Sequence, residues 1–119
     1  MTRKFHHAKL PDDSTLLSGH TPRIETGFQS TVLQIWYNNT DKTWVESPEL
    51  PHYHRESDEI FIVLNGALHV EVNGEIHRIG PREFCCFPSG QWHSIVHVEV
   101  PVETLMIRAP SVDDKIYKE

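Results

Sequence analysis

Glu59-Ile60-Phe61-Ile62-Val63-Leu64-Asn65-Gly66-Ala67-Leu68-His69-Val70-Glu71-Val72-Asn73-Gly74 is the stretch on which the fold turns. Its first half is dominated by β-branched and aromatic side chains and is closed by an Asn-Gly pair. A second run, Ala67–Val72, is closed by another such pair. A two-residue type I′ turn needs positive φ at both central positions, so the pattern predicts one short strand between two reversals. In that strand Leu68, Val70 and Val72 share one face and His69 and Glu71 the other, as in a sheet with one buried and one wet side. Glu59–Leu64 differs, because Ile60, Ile62 and Leu64 are apolar on one face and Phe61 and Val63 on the other. Such a strand needs cover on both sides. In a thin barrel the second cover is expected from another copy of the chain, which predicts a homodimer.

Further strands are predicted at Thr31–Tyr37, Glu83–Phe87, Trp92–Val98 and Val102–Ala109, the last two separated by a turn near Pro101. No segment supports a helix longer than two turns. Short strands with regular turn signals indicate an all-β sandwich or closed barrel. The expected organisation is an N-terminal arm at 1–28, punctuated by Pro11, Gly19, Pro22 and Gly27, a β-barrel at 29–110 and a C-terminal tail at 111–119. A length of 119 residues, 38% of them hydrophobic, fits one domain with one modest core.

Seventeen Asp and Glu against eleven Lys and Arg give a net charge of −6, which disfavours a nucleic-acid partner. The longest apolar run, Ile60–Leu64, is far too short to span a membrane as a helix. The N-terminus carries no apolar stretch after its basic residues, so no secretory signal is expected. Cys85 and Cys86 are adjacent and cannot close a long loop, which fits a reducing, cytoplasmic setting. They alternate faces, so only one can point inward, where a free cysteine usually packs as a small hydrophobe.

Nine histidines are the compositional oddity. In Pro51-His52-Tyr53-His54-Arg55-Glu56-Ser57-Asp58-Glu59, an extended backbone turns His52 and His54 to one face. Four residues then separate His54 from Glu59, enough for a short turn to return the carboxylate alongside. Two imidazoles and a carboxylate are a ligand set of catalytic Zn²⁺ and of non-haem Fe²⁺. Two surface histidines beside a loop of acids have the same spacing.

Pro88-Ser89-Gly90-Gln91-Trp92-His93 adds a histidine at the start of a predicted strand, just after a rigid turn. Together the two segments resemble the cupin superfamily, whose first motif reads Gly-x5-His-x-His-x3,4-Glu-x6-Gly and whose second reads Gly-x5-Pro-x-Gly-x2-His-x3-Asn. His52, His54, Glu59 and Gly66 match the first motif, and Pro88, Gly90 and His93 the second. The resemblance covers roughly residues 45–109. Glu46 or Ser47 stands where the first motif opens with glycine, Arg82 where the second does, and His97 replaces the terminal Asn.

The resemblance implies a double-stranded β-helix, or jelly-roll barrel, with one divalent transition-metal ion held by His52, His54, Glu59 and His93. Fe, Mn, Zn, Ni, Co and Cu all suit mixed N/O ligation. By strand parity Phe61, Val63 and Ile95 are expected to line an apolar substrate pocket, or simply to fill the barrel. His97, four residues after His93, is expected on the same face, either as an acid/base or supporting group or as a satisfied interior histidine. The implied function is a metal-dependent enzyme acting on a small, possibly aromatic, molecule, with Fe²⁺ dioxygenase chemistry first. A redox-neutral isomerase or cyclase, or a non-catalytic module binding a small ligand or metal, are the alternatives.

Overall fold

Two strands of unusual length, joined to each other along almost all of that length, organise the computed structural model. It describes residues 4–21, 27–41 and 49–117. The strands are β1 (Thr15–Ser18), β2 (Gln34–Thr40), β3 (His52–His54), β4 (Asp58–Val72), β5 (Glu75–Ile79), β6 (Phe84–Phe87), β7 (Ser94–Ala109) and β8 (Lys115–Tyr117). All pairings between them are antiparallel. The larger sheet runs β1-β2-β7-β4-β5, with β6 pairing the first part of β4, and β3 pairs β8 in a second sheet. No described residue is helical. The expected all-β, double-stranded β-helix architecture is observed.

The main departure from the sequence reading is at the first Asn-Gly pair. Asn73-Gly74 makes the expected hairpin, with φ of 54° and 80° and Val72 paired to Glu75. Asn65-Gly66 does not reverse the chain. It sits at a pairing irregularity within β4, whose register with β7 shifts between Val63 and Ala67. The turn expected near Pro101 is likewise absent, because β7 continues through it. The two strands therefore bend together where the sequence suggested that each ends. Gly66 has φ of 73°, and a Cβ there would lie 2.3 Å from the Glu99 carbonyl oxygen and 2.4 Å from that of Pro101. The bend needs a residue without a side chain.

The interior is filled from the inward faces of both bent strands. Phe61, Val63, Leu68, Val70, Phe87, Val98, Val102 and Met106 form one buried cluster. Each such side chain contributes roughly 1.5–3 kcal/mol by leaving water. The bend changes inward parity from odd to even along β4, so Glu59, Phe61 and Val63 and later Leu68 and Val70 all face in.

The two ends of the chain are more structured than an arm and a tail. Thr15–Ser18 pairs with β2, and Lys115–Tyr117 pairs with β3. Neither segment has the length or alternation to announce itself, and each is held only by long-range pairing. Pro22 of the arm, and Glu46 and Ser47 where the first motif opens, lie outside the described residues.

Gly66→Ala should destabilise by about 3 kcal/mol, combining left-handed strain with a backbone collision. At Gly74, where φ is 80° but nothing lies within 4 Å, alanine should cost only about 1–2 kcal/mol. Denaturant unfolding of both variants measures the difference, and equal losses would contradict the close approach at the bend.

Candidate metal centre

The short strand β3 puts His52 and His54 on one face, both about 2% exposed. His52 is tied to the residue before β7 by a reciprocal backbone bridge, its N–H donating to the His93 carbonyl at 3.0 Å and its carbonyl accepting from the His93 N–H at 2.9 Å. The turn after β6 is clamped onto the same region. Gly90 N–H donates to the His54 carbonyl at 2.8 Å, and Ser89 N–H to Asp58 Oδ1 at 2.9 Å. Glu59, at the head of β4, is placed by register opposite Arg108 of β7 on one side and Phe87 of β6 on the other. Phe87 in turn stacks on the His93 ring at 3.9 Å and an interplanar angle of 5°.

These constraints bring His52, His54, Glu59 and His93 together. All four are buried, and one potential ligand atom from each lies within 4.8 Å of the others. The imidazoles are oriented from behind. His52 Nδ1 donates to the Leu50 carbonyl at 3.0 Å, His93 Nδ1 to the Gln91 carbonyl at 2.9 Å, and His54 Nδ1 to Asp114 Oδ1 at 3.2 Å. Carbonyl and carboxylate oxygens only accept, so each Nδ1 must carry the proton and each Nε2 is left with its lone pair.

The lone pairs converge on a carboxylate. His93 Nε2 lies 2.9 Å from Glu59 Oε1, and His54 Nε2 lies 3.2 Å from Glu59 Oε2. His54 Nε2 is fully buried and has no hydrogen-bond partner. Two acceptors facing each other in a dry interior need a proton or a cation between them. A buried cluster of this composition is compatible with a divalent metal ion.

Burial on its own would raise the Glu59 carboxyl; a proton or cation shared with the His54 and His93 Nε2 atoms, together with the Arg108 guanidinium, holds the group well below the usual carboxylate range. Arg108 Nη2 donates to Glu59 Oε2 at 2.9 Å. Burial pushes His52 down to about 4, which keeps it neutral. Asp114 accepts from the backbone N–H groups of Glu56 and Ser57 at 2.8 and 2.7 Å and from the Ser57 hydroxyl, besides holding His54.

A cavity of about 500 Å³ opens beside His52 and Glu59. Its apolar wall includes Phe61 and Ile95, as expected, with Leu68, Val98, Val102 and Met106. Its polar lining includes Glu49, Asn38, Thr104, Arg108 and Lys115. Val63 also faces inward but is packed in the hydrophobic cluster instead of lining this cavity. His97 is on the outside. It is exposed and sits 5.1 Å, ring to ring, from its cross-strand partner His69. The reason is a β-bulge: His69 pairs with His97 and Val70 with Ile95, so one extra residue interrupts alternation between the two positions. Cys85 points inward against the core, its thiol pushed up to about 11 by burial, whereas Cys86 is exposed.

Arg108, Asp114, Glu49 and Lys115 were not singled out from the sequence. Arg108 had a signal, because Val102, Thr104, Met106 and Arg108 share strand parity and a cation ending an inward-facing series asks for a buried partner. Asp114 had none, since it reaches His54 across sixty residues of chain.

Comparison with known proteins agrees with this architecture. An uncharacterised protein of Aquifex aeolicus is 31% identical over 72 residues, and that match spans 60% of each chain. KdgF from Halomonas sp. is 26% identical with a TM-score of 0.60, covering 71% of this chain and 75% of its own. The Streptomyces nucleoside dehydratase Pac13 is 10% identical with a TM-score of 0.65, covering 97% of this chain and 92% of its own. Residues 44–108, more than half of the sequence and including the four converging side chains, match the family model described as the cupin domain, and the protein belongs to that family.

Proposed function

We propose that the protein is a metal-dependent enzyme acting on a small organic molecule, with His52, His54, Glu59 and His93 as ligands of one divalent transition-metal ion. The observation that carries this reading is the orphaned Nε2 of His54, buried against a carboxylate with its ring already fixed from behind. A divalent ion bound there supplies Lewis acidity to a substrate oxygen. Phe61, Leu68, Ile95, Val98, Val102 and Met106 hold the apolar part of the substrate and keep water out.

The chemistry that the cavity favours is redox-neutral proton transfer, as in an isomerase, cyclase or dehydratase. Glu49 lies on the Nδ1 side of His52, away from the Nε2 atoms, but lines the cavity and is its one carboxyl among the described residues not committed to the metal set, so the proton transfer is assigned to it. It takes the acid/base role expected of His97, which lies on the outer face. Pac13 is a dehydratase, but at 10% identity it speaks for the fold alone. Fe²⁺ dioxygenase chemistry is the second reading, supported by the mixed imidazole and carboxylate set and the apolar wall.

The reading also includes a homodimer in the reducing cytoplasm, in keeping with two free thiols. Ile60, Ile62 and Leu64 remain half-buried on the outer face of β4, beside Leu105 and Ile107 of β7 and an exposed Phe84. A second copy is the proposed cover, and light scattering should return twice the mass of 13.8 kDa. A monomer at micromolar concentration would refute it.

Only the neutral imidazole binds metal, so Zn²⁺ per chain should fall on acidification, and because burial holds the His52 pKa down to about 4 its contribution is lost only as the pH approaches that value. Metal analysis from about pH 8 to about pH 3.5 on protein that stays folded checks this, and a flat profile over that whole range argues against histidine ligation. His93→Ala should abolish stoichiometric uptake while His77→Ala, on the exposed β5, leaves it intact. Asp114→Ala should weaken Zn²⁺ affinity by about 10–100-fold, by releasing the His54 ring.

For the reaction class, Zn²⁺-loaded and Fe²⁺-loaded protein are compared against phenols, thiols and diketones with an oxygen electrode and product analysis. Turnover with Zn²⁺, no oxygen uptake, and loss of activity in Glu49→Gln are expected. Oxygen uptake confined to the Fe²⁺ form would instead select the dioxygenase. Retention of a compound without turnover in either form would make the protein a binding module.

A further inference from the structure

The cavity has two cations on its wall that the metal site does not need as ligands. Arg108 is 9% exposed and directs Nη2 to Glu59, while its Nε is buried with no hydrogen-bond partner. Lys115, on β8, lines the same cavity; its Nζ lies 5.6 Å from the Tyr117 ring centroid and its charge is felt by Glu49, but it makes no ion pair within 4 Å among the described residues. The acidic groups on that wall are Glu59 and Glu49. Asp114 stands behind His54, its oxygens engaged by that ring, by Ser57 and by two backbone N–H groups.

Side-chain charges on the wall balance, two against two, only while no ion is present. A divalent cation shares the single negative charge of Glu59 with Arg108 and leaves the guanidinium under-compensated. The loaded cavity then carries two excess positive charges in a site with few polar partners, where Coulomb interactions are strong. A neutral substrate would leave them unanswered. An anionic group set towards Arg108 and Lys115, with an apolar body against Phe61, Leu68, Ile95 and Val98, answers both halves of the cavity.

We propose that the substrate is a small organic acid whose carboxylate is received by Arg108 and Lys115. This rests on the metal-enzyme reading for the substrate role; without metal the wall is balanced overall and Arg108 is held by Glu59, so the carboxylate preference that remains is the local one of Lys115, to which an ion would add that of Arg108. Lys115 and Arg108 act by binding and orienting the acid, which fixes which end of the molecule meets the metal position and which meets the apolar wall.

The test measures binding of benzoate, benzamide and benzylamine, three probes of one shape and different charge, to metal-free and Zn²⁺-loaded protein by ligand-observed NMR titration. Benzoate should bind metal-free protein about tenfold more tightly than benzamide, as expected for a charge-assisted contact, with benzylamine weakest. Zn²⁺ should increase the preference. Lys115→Gln, which leaves the metal ligands and Arg108 in place, should reduce benzoate binding about tenfold and leave benzamide unchanged. Equal binding of benzoate and benzamide to metal-free protein would overturn the proposal. So would a benzoate preference that appears only with Zn²⁺ and survives Lys115→Gln, because the ion alone would then be selecting the anion. Failure to take up Zn²⁺ defeats the metal-enzyme reading instead, and the metal-free comparison still decides the carboxylate preference.

Discussion

One carboxylate holds both ends of one strand. Glu59 meets His93 immediately before β7 and Arg108 near its end, each contact at 2.9 Å. The two are fifteen positions apart, and fully extended that stretch would span about 50 Å at roughly 3.3 Å per residue. The longest dimension of the whole molecule is 45 Å. β7 must therefore curl through the barrel, and β4, paired with it from Asp58 to Glu71, must curl with it. The joint bend at Asn65–Ala67 and Glu99–Glu103, made possible by a glycine against two carbonyl oxygens, is what lets distant parts of the sequence meet at one point.

With the backbone closed, the polar cluster is organised from outside inward. Each histidine gives its Nδ1 proton to an oxygen set by local backbone or by Asp114, and the ring is fixed before any ligand arrives. Phe87 stacked on His93 and the reciprocal bridge between His52 and His93 remove remaining rotational freedom. The donors have already lost the entropy that ordering would cost. The asymmetry of the cavity, apolar along one wall and cationic beside Glu59, follows from the inward faces of the same two bent strands together with β8.

The all-β architecture was readable from short-range pattern, whereas the convergence of the four side chains was implied by the resemblance of two local segments to the cupin motifs. Two histidines at i and i+2, a carboxylate after a short loop, and a histidine after Pro-Ser-Gly are properties of local sequence. The errors share one cause, which is a change of parity inside a continuous strand. Asn65-Gly66 and Pro101 look like turns when each strand is read alone, but a neighbour bending in step keeps the chain paired. The extra residue between His97 and Ile95 in the pairing moves His97 outside, although simple alternation puts it beside His93. Asp114 and Lys115 escape for a different reason. Their positions are set by β8 pairing with β3, and three residues carry too little pattern to reveal a partner sixty residues away.

The attachment of β8 to β3 also orders events in time. A chain made from its N-terminus presents His52, His54, Glu59 and His93 well before Asp114 emerges. Until it does, the His54 ring lacks the acceptor that selects its tautomer, and the Glu56 and Ser57 amides lack theirs. The orientation of a ring in the middle of the sequence is thus completed only when β8 docks on β3 and brings Asp114 to it.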